Sequence, residues 1–171
     1  PMEYTYDERI CNLECGSKCC KSTPPALTSE DFNRIQTKIN HQNWFQFISE
    51  KSRIRVIGKK ENLIDCHFLT EDGLCQIYDY RPLDCELFPL FAKIKQEGER
   101  EFRIRWYVWY CPLTEKKGVE ELHKKAGYII HDYLNSKPEI IFEYQKAMLE
   151  SGAYKKKHFL KEELLTIKSN D

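Results

Sequence analysis

Eight cysteines lie within the first 111 residues of this 171-residue chain, and none follows them. Four form the run Cys11-x3-Cys15-x3-Cys19-Cys20, and the others are Cys66, Cys75, Cys85 and Cys111. Thiolates bind soft metals such as zinc, copper(I) and the iron of iron–sulfur clusters. In an oxidising compartment the same residues would instead pair as disulfides. The clustering therefore predicts that the cysteines bind a metal or each other.

The compartment decides between these two uses of the cysteines. Residues 1–20 are polar and acidic and lack the apolar segment of a secretory signal peptide. No stretch of the chain reaches the roughly 18 apolar residues of a membrane span, and the chain is long enough to bury a core without cross-links. We therefore expect a cytoplasmic protein with no membrane partner. Its reduced thiols are then expected to bind a metal, with all eight cysteines as candidate ligands.

The spacing of the cysteines bears on which metal they bind. Structural zinc sites usually contain Cys-x2-Cys pairs, and this chain has none. Its spacing of four would place Cys11, Cys15 and Cys19 on one face of a helix, with Cys20 pointing elsewhere. This pattern favours an iron–sulfur cluster of the [4Fe–4S] type, with zinc as the alternative. The sequence leaves open whether there are two four-thiolate sites or one site with spare cysteines.

Composition excludes some classes of function. Lysine plus arginine equal aspartate plus glutamate at 27 each, whereas proteins devoted to nucleic acid usually have a basic excess, so no nucleic-acid partner is expected. The basic run Lys155-Lys156-Lys157 is read as the solvated face of a helix. No Gly-x-Gly-x-x-Gly motif is present, which gives no support for a nucleotide-type fold that binds S-adenosylmethionine.

The part of the chain that carries the cysteines is expected to be rich in β-hairpins. Apolar residues at helical spacing predict one helix over residues 28–48. Alternating residues and glycine-containing turns then predict hairpins over residues 53–78 and 90–109. Pro82 can start a short helix that carries Cys85.

The remainder of the chain is expected to be helical. Apolar stripes of helical period predict helices over residues 115–134, 138–149 and 154–167. The predicted class is therefore α+β, with a cysteine-rich, hairpin-rich metal-binding half at 1–112 and a helical half at 113–171. The two halves are expected to pack together as one domain.

Several motifs occur in an order that resembles a known family. The cysteine run is followed by Cys66, Gly73-Leu74-Cys75-Gln76-Ile77-Tyr78, Arg81-Pro82, Cys85 and Phe88-Pro89. Over residues 11–112 this pattern resembles the YkgJ-type cysteine-cluster proteins, which are described as zinc- or iron-chelating domains. A similar domain occurs in flagellin lysine methylases. The position after Cys85 is often basic in this family and is Glu86 here. The resemblance implies metal binding more firmly than it implies a reaction.

Two residues near the later cysteines are candidates for cofactor binding. Arg81 either neutralises an anionic thiolate site or has a structural role, in which it caps a carbonyl or pairs with Asp84 or Glu86. Tyr78 is either a cofactor contact or part of the core. His67, beside Cys66, fits a structural residue better than a ligand.

The predicted function is that of a thiolate metal-binding protein with an iron–sulfur cluster in a redox or enzymatic role. The alternatives are a zinc-binding structural or interaction module, or an enzyme like a protein lysine methyltransferase. Its partner is expected to be an unidentified protein or small-molecule substrate.

Overall fold

The computed structural model describes residues 6–22, 24–155 and 157–168. Within these ranges the chain forms helices and two antiparallel three-stranded sheets, so the predicted α+β class is confirmed. The cysteines lie in the part that ends at residue 111, and the longest helices follow it. No helix of the described ranges is long and apolar enough to cross a membrane.

The cysteine run does not form one continuous helix. Helix α1 (Tyr6–Arg9) leads into a π-helical turn (Ile10–Glu14), and a separate 3-10 turn (Lys18–Lys21) follows. Gly16 and Ser17 lie between the two turns and separate them, because both have positive φ angles, of 68° and 56°. The predicted single helix face for the run is therefore wrong, and the chain changes direction inside it.

The first sheet is small and contains strands β1 (Ala26–Leu27), β2 (Phe45–Phe47) and β3 (Arg55–Ile57) in the order β1-β3-β2. Helix α2 (Ser29–Gln36) lies between β1 and β2, and Thr28 and Asp31 form a capping box at its start. The predicted helix over residues 28–48 is wrong beyond Gln36. Its second half instead folds back as a loop and β2, and the buried Trp44 donates a hydrogen bond from Nε1 to Gln36 Oε1 at 3.2 Å.

The segment between β3 and the next helix has little regular structure. The predicted hairpins over residues 53–78 reduce to β3 and two isolated bridges, between Lys59 and Cys66 and between Leu69 and Cys75. A short 3-10 turn (Tyr78–Tyr80) precedes helix α3 (Leu83–Leu87), which begins after Pro82 and carries Cys85 as predicted.

The second sheet has the order β4-β5-β6. Strands β4 (Leu90–Gln96) and β5 (Glu101–Val108) form the hairpin that the sequence predicts. The predicted third helix over residues 154–167 is wrong, because strand β6 (His158–Thr166) occupies this region and pairs with the whole of β5. Pairing with β5 outweighs the local helical preference of this charged segment.

Helices α4 (Pro112–Lys117), α5 (Val119–Ser136) and α6 (Pro138–Ser151) complete the fold. The predicted helix over residues 115–134 is divided at Gly118, whose φ of 85° breaks the helical path between α4 and α5. The larger hydrophobic core includes residues from both halves of the chain, such as Trp106 on β5 and Ile130 on α5. A smaller core surrounds Trp44 and Phe68 beside the cysteine loops.

Candidate metal centre

All eight cysteines are free and line two neighbouring cavities. The larger cavity has a volume of about 230 Å³ and is lined by Cys11, Cys19, Cys20, Cys66, Cys75 and Cys85. The smaller cavity has a volume of about 200 Å³ and is lined by Cys11, Cys15, Cys19 and Cys111. Residues separated by up to a hundred positions in the chain are thus brought together. Their roles as metal ligands remain a prediction.

Backbone pairing fastens the cysteine run to the loop that carries Cys66. The Cys66 N–H donates to the Cys20 carbonyl at 2.7 Å. The Lys59 ammonium donates to the carbonyl oxygens of Ser22 and Ile64, the second at 3.0 Å. Because the backbone of this loop is held against the run directly, Cys20 and Cys66 are placed on the same wall of the larger cavity.

A second set of contacts fastens the turn before Cys75 to the run. Asn12 Nδ2 donates to the Asp72 carbonyl at 2.9 Å, and the buried Ser17 hydroxyl donates to the Gly73 carbonyl at 2.9 Å. Gly73 has a φ of 81°, and a Cβ at this position would lie 2.4 Å from Asn12 Oδ1. The close approach requires glycine on both counts.

Two carboxylates position the helix that carries Cys85. Asp31 Oδ1 accepts a hydrogen bond from the Leu83 N–H at 3.1 Å, and Asp84 Oδ2 accepts one from the Ala26 N–H at 2.9 Å. Burial raises the pKa of Asp84 to about 6. Together these bonds dock α3 on α2 and β1, so that Cys85 lies on the wall of the larger cavity.

Cys111 stands at the start of α4 and lines the smaller cavity. Its thiol accepts a hydrogen bond from the Thr114 N–H, as a capping residue would. Burial raises the pKa of Cys111, while the bonds from the Thr114 and Leu113 backbone act in the opposite direction. Helix α4 is tied to the N-terminal segment by an ion pair between Lys117 and Asp7 at 2.8 Å.

Burial governs the protonation of most of the thiols. It raises the pKa of Cys11 to about 12 and that of Cys75 to about 11, and it also raises the pKa values of Cys66 and Cys85. Cys19 differs from these thiols, because a hydrogen bond from the Cys20 side chain lowers its pKa. Metal ligation requires thiolates, so a bound cation must displace protons from the buried thiols.

Arg81 and Tyr78 both line the larger cavity beside Cys75 and Cys85. The Arg81 guanidinium lies 4.0 Å from the centre of the Tyr78 ring, and its Nη1 donates to the Tyr78 carbonyl at 3.3 Å. Burial acts to lower the pKa of Arg81, but Tyr78, Cys85 and Glu86 raise it above its ordinary value. The guanidinium therefore lies near Cys85, and its role at a thiolate site stays a prediction.

A family model described as "CxxCxxCC: Putative zinc- or iron-chelating domain" matches residues 10–112, which are more than half of the chain. The chain belongs to this family. The matched range contains all eight cysteines, and it confirms the resemblance to YkgJ-type proteins on which metal binding was expected. No solved structure matches the chain.

Several charged residues that line the larger cavity were missed by sequence reasoning. Lys157 lines the larger cavity, with its ammonium 5.1 Å from the ring centre of Phe91 and 5.3 Å from that of Trp109. Reading the basic run as a solvated helix face is therefore wrong for Lys157, while Lys156 lies outside the described residues. Asp7 and Lys125 also line the cavity. They reach it through tertiary packing, which leaves no signal in local sequence.

The described side chains do not form a preformed single-ion site. In the parts of the chain that the structure describes, no three His, Cys, Asp or Glu residues are grouped closely enough to hold one metal ion. His67 is absent from the walls of both cavities and instead contacts His41 and Phe68, with ring centres 5.3 and 5.0 Å away. Its structural interpretation is thus favoured. The thiols are the soft donor groups that line both cavities, and the larger cavity also has the carboxylates of Asp7, Glu8, Asp84 and Glu86.

Proposed function

We propose that the protein is an iron–sulfur protein whose cysteines hold [4Fe–4S]-type clusters in the two cavities. The observation that carries the proposal is that the walls of both cavities collect thiols from all parts of residues 11–111. Volumes of about 230 and 200 Å³ far exceed the roughly 10–15 Å³ that admits one water. There is thus room for a group of several atoms between the thiols. When bound, such a cluster supplies a one-electron redox centre.

The surroundings of the thiols support a redox role. Phe88 and Trp109 line both cavities, and their rings meet edge to face with centres 5.6 Å apart. Apolar surroundings limit the access of water to a cluster, and solvent access is one of the factors that sets its reduction potential. These two aromatic residues belong to the wall that the cavities share, so they would act on a group in either one.

Arg81 and Tyr78 are proposed to hold the cofactor by charge rather than by ligation. Thiolates around iron leave a net negative charge, and the half-buried guanidinium of Arg81, close to Cys85, offsets it. The Tyr78 ring keeps the guanidinium in place through the cation–π contact. The family often has a basic residue at the position of Glu86. This chain therefore lacks that positive charge, and Arg81 is the cation placed close to Cys85.

A substrate would have room next to the thiols. The larger cavity continues past Cys85 to apolar side chains such as Phe91, Met148 and Ala153, with Lys157 at its wall. This extension supports an electron-transfer or enzymatic role with a small molecule or protein partner in the reducing cytoplasm. A site that only cross-links the chain would not need such an extension.

A zinc-binding structural module is the second candidate, and one feature favours it. Residues 58–82 are held by isolated bridges and a few hydrogen bonds rather than by extended strands. A metal that joins Cys66, Cys75 and Cys85 would stabilise this segment whatever its redox chemistry.

Spectroscopy of protein purified without oxygen separates the two candidates. We expect broad visible absorption that bleaches on reduction, iron and acid-labile sulfide in equal amounts, and a paramagnetic resonance signal in the reduced state. Colourless protein with stoichiometric zinc and no iron would refute the iron–sulfur proposal. The same result would leave thiolate metal binding intact.

A further inference from the structure

We propose that the eight cysteines form two separate four-thiolate centres, divided between the neighbouring residues Cys19 and Cys20. The first, called the run centre, uses Cys11, Cys15, Cys19 and Cys111. The second, called the loop centre, uses Cys20, Cys66, Cys75 and Cys85. This inference rests on the proposed thiolate metal binding, but it does not depend on whether the metal is iron or zinc.

The cavity walls give the first argument for the division. Cys15 and Cys111 line only the smaller cavity. Four other cysteines line only the larger one, and these are Cys20, Cys66, Cys75 and Cys85. Cys11 and Cys19 line both. Since the larger cavity already has four thiols of its own, assigning the two shared cysteines to the smaller cavity completes four in each.

The electrostatic neighbours of the thiols divide in the same way. Cys19, Cys111 and Cys15 are the cysteines close enough to act on the charge of Cys11. The charge of Cys85 is affected by Cys75, Cys66 and Cys19, and that of Cys20 by Cys19, Cys85 and Cys66. For each of these three thiols, the neighbouring cysteines belong to its own proposed centre, with the exception of Cys19. Cys19 is the member that borders both.

Local geometry explains how adjacent residues serve different centres. Cys19 and Cys20 lie in the 3-10 turn Lys18–Lys21, and such a turn separates successive side chains by about 120° around its axis. The two thiols are nevertheless close enough for a hydrogen bond and both line the larger cavity, so Cys19, which also lines the smaller cavity, lies at the boundary between the two centres. Because their Cα atoms are only about 3.8 Å apart, the two centres would stand side by side.

Each centre has its own structural support. Helix α4 carries Cys111 and is fastened to the N-terminal segment by the Lys117–Asp7 ion pair and by a weaker one between Lys116 and Glu14 at 3.8 Å. The loop centre is held instead by the Cys66 N–H bond to the Cys20 carbonyl and by the docking of α3. Loss of one centre should therefore leave the scaffold of the other in place.

A matched pair of variants tests the division on the full chain, loaded without oxygen. Cys15→Ser removes a ligand of the run centre, and Cys75→Ser removes one of the loop centre. Metal per chain is measured, and accessible thiols are alkylated and mapped by mass spectrometry. We expect each variant to keep half of the metal. Cys15→Ser should newly expose Cys11, Cys19 and Cys111 to alkylation, whereas Cys75→Ser should newly expose Cys20, Cys66 and Cys85.

Several outcomes would overturn the division. One is an unchanged amount of metal per chain in either variant. Another is complete loss of metal from a variant that circular dichroism shows to be folded. The third is new alkylation, in a single variant, of cysteines from both proposed centres. If a variant does not fold, the loaded wild-type chain decides, compared with the same chain after chelation. If all eight thiols resist alkylation in the loaded chain and react after chelation, the two centres are supported. If four thiols react in the loaded chain, the two centres are refuted. Zinc that divides in equal halves would refute the iron–sulfur proposal and support the two centres.

Discussion

The side chain of Cys20 donates a hydrogen bond to the thiol of Cys19, the residue directly before it. The bond acts on the two residues in opposite directions, since it lowers the pKa of Cys19 and raises that of Cys20. Cys19 therefore ionises more easily than Cys11 and Cys75, whose pKa values are raised by burial. A thiol that ionises easily and lines both cavities is suited to bind an incoming metal first.

Cys19 should react faster than Cys75 with an alkylating agent in metal-free protein at pH 7. The hydrogen bond from Cys20 lowers the pKa of Cys19, whereas burial raises that of Cys75, so a larger share of Cys19 is thiolate at pH 7. Cys20→Ala removes the hydrogen bond, and the loss of thiolate is partly offset by higher nucleophilicity, so the rate at Cys19 should fall by about severalfold. Peptide mapping over time measures both rates. An unchanged rate at Cys19 in the variant would contradict the role of the bond.

Metal loading should release protons and become tighter as the pH rises. Burial raises the pKa values of Cys11 and Cys75 to about 12 and 11, so both enter the reaction protonated at neutral pH. For each proton that the metal must displace, lowering the pH by one unit weakens the apparent metal affinity by about tenfold. Calorimetry with zinc in two buffers of different protonation enthalpy counts the protons. Affinity that is independent of pH would show that these thiols are not ligands.

Cys85→Ala should destabilise the metal-loaded protein far more than the metal-free protein. The variant removes a proposed ligand of the loop centre, and a loss of at least about 3 kcal/mol is expected. For a chain of this size that lowers the unfolding midpoint by about 6–12 °C. After chelation only the smaller packing loss of the thiol should separate the variant from the wild type. Equal differences before and after chelation, measured by differential scanning fluorimetry, would argue against ligation by Cys85.

How far the sequence predicted the fold depends on the range of the contacts. The β4–β5 hairpin and α3 were predictable because alternation and Pro82 are local signals. Strand β6 was not predictable, because its charged sequence has a local helical pattern. Its strand conformation depends on pairing with β5, where Arg103 forms an ion pair with Glu162 at 3.2 Å. The side chain of Glu163 similarly accepts from Trp106 Nε1 at 2.7 Å. These partners lie more than fifty residues away, beyond the reach of local pattern.

The same distinction applies to the candidate site. The convergence of the cysteines was predictable because lone buried thiolates are costly and a shared cation offsets that cost. The course of the run was not, because the positive φ angles of Gly16 and Ser17 depend on contacts such as the Ser17 bond to the Gly73 carbonyl. The apolar extension of the larger cavity and Lys157 also depend on packing between distant elements.

Arg81→Gln should shift the reduction potential of a loop-centre cluster to a more negative value. Reduction adds negative charge, and Arg81 is the guanidinium beside Cys85 that stabilises it. A shift on the order of 60 mV is expected, which is a tenfold change in a one-electron equilibrium. Tyr78→Phe is the matched control, since it keeps the ring beneath the guanidinium and the carbonyl that Arg81 contacts. Redox titration that finds the same potential in Arg81→Gln and wild type would refute the charge role.

Gly73→Ala should loosen the loop centre without touching a cysteine. Its φ of 81° disfavours a side chain by about 1–2 kcal/mol, and the new Cβ would displace Asn12, whose amide bonds the Asp72 carbonyl. We expect a midpoint lowered by about 2–8 °C and faster loss of metal to a chelator. Gly127→Ala is the control, because it lies in α5 with open space around its Cα and should stabilise the helix by up to about 1 kcal/mol. If both variants released metal at the wild-type rate, the contact between the run and the turn before Cys75 would have no part in holding the loop centre together.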